Sequence, residues 1–191
     1  MDKQHKFPAG GGPPARSDEY LIEPNQRELG VKKRGGGGVE IKTLIETGSD
    51  SLSRPPFNGP MELWCKAKSS ALPLNGLPLI VIEKERRLRK FDTTGAKPIE
   101  IQLIPDSTEK PIDGRALPSQ GCNVEFTSIR VQPDRQAWWT FGFEAFGPLS
   151  TVKHSLNNVA RMLAERLPPA LTDGILESYP TWLTDHLNRS A

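Results

Sequence analysis

Hydrophobic and polar residues alternate along most of the chain with the two-residue period of β-strands, and switch to a helical period only near the C-terminus. The alternation predicts strands over 17–22 (SDEYLI), 28–34 (ELGVKKR), 39–46 (VEIKTLIE), 61–69 (MELWCKAKS), 79–92 (LIVIEKERRLRKFD), 98–104 (PIEIQLI), 122–131 (CNVEFTSIRV) and 136–147 (QAWWTFGFEAFG). The glycines at 35–38 lie between two alternating runs, which is a hairpin signal. By composition 47–60 and 70–78 are loops, 106–121 is a long connection, and QPDR turns the last hairpin. Over 151–167 the apolar residues Val152, Leu156, Val159, Leu163 and Leu167 follow helical spacing, and Pro168 and Pro169 end the run. Pro180 suits the first turn of a last short helix that seals one end of the strand assembly. Residues 1–16 are rich in Gly and Pro, lack periodicity and read as a disordered tail; 17–191 read as a single domain.

Sorting each strand by parity puts charge on one face of strand after strand. Lys32 and Arg34 share a face, as do Glu40 and Lys42; Glu62, Trp64, Lys66 and Lys68; and Lys84 and Arg86 with Ile80 and Ile82. Glu125 goes with Asn123 and Thr127, and Glu144 with Trp138 and Thr140. The opposite faces are apolar, except in the fifth strand, where Glu83, Glu85, Arg87 and Arg89 predict a distal part exposed on both sides. An apolar face must be covered, and the amphipathic helix is the available cover. With helices packed outside, about eight antiparallel strands make an α+β barrel whose polar faces line the interior, with Trp139 under the helix and Trp138 at a mouth. The same parity also describes an open sheet with one face in water, its Lys and Glu forming surface pairs. Periodicity leaves both forms standing.

Composition narrows the function classes. Only 36% of the 191 residues are hydrophobic, a deficit traceable to the N-terminal stretch and the charged strand faces. The 25 basic and 23 acidic residues leave a formal charge of +2, so any anion site is local, as in KKR (32–34) and EKERRLRK (83–90). Acidic residues interrupt that second run and no stacking platform accompanies it, which argues against nucleic acid. Cys65 and Cys122 are far apart, form no CxxC and read as buried free thiols. His154 and His186 read as surface residues. No apolar signal-peptide core or membrane-length run occurs, which predicts a cytoplasmic protein with no membrane partner.

The chemistry lies on the charged faces. In a barrel interior Lys32, Arg34, Lys42, Lys66, Lys84 and Arg86 crowd together with Glu40, Glu125 and Glu144. Confined cations repel one another and resist desolvation, and a polyanion relieves both problems. Arg presents a planar fork to phosphate oxygens and Lys a point charge. The carboxylates either balance the lysines or hold a divalent metal that bridges phosphate oxygens.

The order of these motifs is similar to that of the CYTH superfamily, the triphosphate tunnel metalloenzymes. DEYL, LGVKKR, VEIK, WCKAK, VIEKERR, VEFTSI and FGFEAFG carry the resemblance over residues 17–147. It implies an antiparallel eight-stranded tunnel that binds a triphosphate or other phosphorylated anion, commonly with Mg²⁺ or Mn²⁺, and that hydrolyses or cyclises it. Lys32, Arg34, Lys42, Lys84 and Arg86 would stand for the family's basic positions, and Glu125 and Glu144 for its late acids. The family's N-terminal Glu-x-Glu-x-Lys strand has no counterpart here, which implies a divergent bacterial branch. That departure favours two other expectations: a non-catalytic polyphosphate- or nucleotide-binding module, or an interaction scaffold without a ligand.

Overall fold

The computed structural model describes residues 15–22, 27–35, 37–104, 109–132, 137–166 and 174–190. Among these residues eight strands appear: β1 (Arg16–Leu21), β2 (Leu29–Arg34), β3 (Val39–Arg54), β4 (Phe57–Ser69), β5 (Leu79–Asp92), β6 (Ile99–Ile101), β7 (Gly121–Val131) and β8 (Ala137–Phe146). Helices α1 (Leu149–Ala164) and α2 (Tyr179–Ser190) follow. All strand pairings are antiparallel, in the order β4-β3-β2-β1-β5-β7-β8, and β6 joins β5 beyond the end of β1. The sheet curls. Lys42 on β3 reaches Glu144 on β8 at 2.8 Å although four strands separate them in the order, so the face carrying both is concave.

Two apolar clusters hold the sheet. On the convex face α1 lays Val159, Ala160 and Leu163 over Phe91, Cys122 and Val124, with Phe141 and Phe143 packed against them. Ser155, fully buried in α1, shares a 2.8 Å hydroxyl hydrogen bond with Thr93 and fixes the rotation of the helix. The second cluster lies at one end of the concave face. There Leu183, Tyr179 and Trp182 of α2 pack on Tyr20, Ile80, Ile82, Ile129, Val131 and Trp138. Gly30 permits this approach, because a Cβ there would sit 3.1 Å from Pro180 Cγ. Arg27 clamps the helix from outside through two bonds to Asp185, 2.6 and 3.2 Å. Only α1 is therefore packed outside; α2 seals one end of the concavity, since its aromatic stripe matches apolar residues of the inner face.

Several local expectations are revised. The segment 47–60 is not a loop: β3 and β4 continue through it as a long hairpin, with register shifts between Leu44 and Glu46 and between Thr47 and Ser51. The polar composition conceals this extension because its anchors are only Leu52 and Phe57, both buried in the α1 cluster. The distal part of β5 is not exposed on both sides. Phe91 is fully buried, Lys90 faces inward, and Arg89 is gripped by Glu100 at 2.6 and 2.7 Å. Trp139 is not under the helix; it is 60% exposed and stacks on Phe126, because α1 covers the Phe141, Phe143 and Ala145 end of β8. Cys65 is exposed while Cys122 is buried, and burial pushes the Cys122 thiol up to about 12. His186 is half-buried, stacked on Trp182. Arg16, assigned to the tail, opens β1. Residues 1–14, positions 133–135 of the QPDR turn and the Leu167–Pro169 helix end lie outside the described residues. No helix among the described residues is long and apolar enough to cross a membrane.

Candidate functional site

The strand registers carry the parity argument across the whole sheet. Arg34 lies opposite Asp18, which lies opposite Ile82; Lys32 lies opposite Glu40, which lies opposite Lys68; Lys42 lies opposite Lys66. Lys84 is opposite Arg16 and Ile129, Arg86 opposite Thr127, Glu125 opposite Gly142, and Glu144 opposite Asn123. Directly opposed residues of antiparallel strands share a face. All six basic residues and all three acidic residues picked out from the sequence therefore share the concave face.

They gather around two buried carboxylates. Glu40 is 4% exposed and meets four cations: Lys66 at 3.3 Å, Lys68 at 3.4 Å, and Lys32 and Arg34 at 3.5 Å. Burial alone would raise its pKa, but Lys32, Arg34 and Lys66 overcome that and hold it at about 2. Asp18 is fully buried and meets Lys32 at 3.3 Å, Arg16 at 3.5 Å, Lys84 at 3.7 Å and Arg34 at 3.9 Å. Six cations thus share two carboxylates. Lys84 sits deepest, 8% exposed, donating to the Tyr20 hydroxyl at 2.5 Å under the Tyr179 ring, whose centroid is 4.0 Å away. Burial, aided by Lys32 and opposed by Asp18, brings its ammonium down to about 7. Burial also lowers Lys32, against Asp18.

The remaining charges form two smaller sets. Lys42 bonds Glu144, whose pKa that contact lowers against the effect of burial. Farther along β5, Arg86 donates to Glu125 at 2.9 Å and to Glu109 at 2.6 Å, while Lys90 donates to Asn123 at 2.9 Å and pairs with Glu109 at 3.0 Å. Glu40, Glu125 and Glu144 consequently answer to three different sets of cations. Among the described residues no three His, Cys, Asp or Glu side chains converge to hold a metal ion. As arranged, each of these carboxylates is paired with cations, and the three do not converge on one point.

Sequence reasoning left out Arg16, Asp18, Lys68, Lys90, Glu109 and Tyr179. Parity already placed Lys68 on the charged face with Lys66, though outside the interior set, and could have found three more: Arg16 and Asp18 share a face with Tyr20, and Lys90 with Lys84 and Arg86. Glu109 lies in a connection and carries no periodic signal, and Tyr179 enters through the docking of α2. No family model, no curated protein and no solved structure matches the chain.

Proposed function

We propose that the concave face binds a phosphorylated anion, a triphosphate or a similar polyphosphate. One observation carries this reading: six cations converge on Asp18 and Glu40, and the two carboxylates cannot neutralise them. The surplus charge is reachable. Arg34, Lys66 and Lys68 keep 38, 40 and 70% of their side chains exposed, while the carboxylates beneath them are 5% exposed or less. An arriving polyanion meets cations and not carboxylates, with one guanidinium fork and two ammonium groups at the rim. The motif order that resembles the triphosphate tunnel metalloenzymes points to the same ligand class. The cations themselves supply counter-charge to the ligand's phosphate oxygens.

The test is thermal unfolding with tripolyphosphate, ATP and orthophosphate, each with and without Mg²⁺ or Mn²⁺. A ligand that binds only the native state raises the midpoint, with a stabilisation that grows as the logarithm of its concentration over Kd. Tripolyphosphate is expected to raise it without metal. Arg34→Ala with Lys66→Ala is expected to weaken that binding at least about tenfold, the loss of roughly one charge-assisted contact. Both side chains are part-exposed, so the double variant keeps its fold. No midpoint shift with any polyanion would return the face to the scaffold reading. Phosphate release that depends on added metal would make the site an enzyme's.

A further inference from the structure

The Arg86–Lys90 end of the face already holds an anion, and the chain itself supplies it. Glu109 places one carboxylate oxygen 2.6 Å from Arg86 Nη2 and the other 3.0 Å from Lys90 Nζ. Both cations are largely shielded, with 13 and 5% of their side chains exposed. Glu109 comes from no strand of the sheet. It stands beside a short antiparallel pairing in which Ile104 donates to the Lys110 carbonyl and Ile112 to that of Gln102. Its backbone has φ 65°, a left-handed conformation that costs a glutamate energy and that nothing in its side-chain chemistry favours. The ion pairs hold a strained residue in place.

We infer that Arg86 and Lys90 form a distinct subsite for one phosphoryl or carboxylate group of the ligand, and that Glu109 is its tethered competitor. This rests on the reading of the concave face as a polyphosphate site. The two cations offer what an anionic group needs: a guanidinium N–H and an ammonium aimed at the two oxygens of one group. Glu125 holds the other arm of Arg86 and Asn123 holds Lys90, so the pair stays oriented when Glu109 leaves. A ligand long enough to reach from Lys84 toward Lys90, about 20 Å along β5 at the usual strand rise, displaces Glu109 and relaxes its backbone. A single orthophosphate bound among Arg34, Lys66 and Lys68 leaves it in place.

Calorimetric titration of tripolyphosphate and of a longer linear polyphosphate into the wild type and Glu109→Gln tests this. Removing the competitor's charge is expected to tighten the longer ligand by about three- to tenfold, the inverse of the fraction of time the subsite is free, with orthophosphate unaffected. Wild-type binding that is unchanged or weaker in the variant overturns the inference and leaves the anion reading intact. No binding to either protein overturns both. Should the variant fail to fold, hydrogen exchange on the wild type decides. The Ile104 and Ile112 amides should exchange faster with the long polyphosphate bound while strand amides slow. Slower exchange at those two amides would mean that Glu109 stays put and the subsite does not exist.

Discussion

Asp18→Asn is expected to cost the fold about 3–5 kcal/mol, the range for removing one partner from a buried charge cluster. The substitution keeps the shape and one acceptor oxygen but removes the charge at the meeting point of Arg16, Lys32, Arg34 and Lys84. Glu40 is left to answer for cations that it already shares. The diagnostic feature is rescue. If surplus positive charge is what defines the face, tripolyphosphate should raise the unfolding midpoint of the variant by more than that of the wild type, because the ligand now supplies the missing counter-charge. Urea unfolding at pH 7 with and without the ligand reads both effects. A loss below about 1 kcal/mol, the level of an exposed pair, would mean that water and Glu40 already compensate these cations. The concave face would then hold no uncompensated positive charge for a polyanion to meet.

Lys84→Met is expected to act in the opposite direction, stabilising the protein at pH 6 by about 2 kcal/mol, a fraction of the limit set by its pKa shift. Lys84 has an ordinary value of 10.5, lowered to about 7 in the fold, first by burial and then by Lys32. The unfolded chain therefore holds this proton more tightly than the native one. The stability linked to the group is present in full above pH 10.5 and is lost as the pH falls through 7, where the native state must carry a desolvated ammonium. A methionine fills the same unbranched space with no charge. The difference in stability between variant and wild type should be largest near pH 6 and shrink steadily toward pH 10. A variant less stable than the wild type at pH 6 would show that the contacts of Lys84 with Asp18 and Tyr20 outweigh its burial.

Parity was the most informative signal in the sequence, because it depends only on alternation and tolerates errors in strand ends. It put Lys32, Arg34, Lys42, Lys66, Lys84, Arg86, Glu40, Glu125 and Glu144 on one face without knowledge of the strand order. Whether that face was solvated or enclosed could not be read from it, since a flat sheet and a curled one alternate alike. The curl becomes visible only through contacts between distant strands, such as Lys42 with Glu144. Composition misled where a few anchors do the stabilising. TGSDSLSR reads as a loop, yet Leu52 and Phe57 are enough to keep it extended against α1. Glu109 was illegible for a different reason: its role comes from the path of a loop and a left-handed backbone, neither of which leaves a residue pattern.

Among the described residues no backbone ladder joins the two edge strands, β4 and β8. The gap is spanned by side chains: Lys42 to Glu144, and Phe57 against Phe141 and Phe143 with centroids 5.6 and 5.1 Å apart. In mechanical terms the sheet is a split ring and not a hoop. A closed barrel has its girth set by strand number and shear, and can widen only by breaking rungs. Here the slit is crossed by side chains and by α1, which packs on Leu52 and Phe57 on one side and on Cys122, Val124, Phe141 and Phe143 on the other, and pairs Lys153 with Glu46 and Asp50. The girth of this sheet is therefore set by a helix and by side-chain packing at the slit, and not by strand number and shear alone.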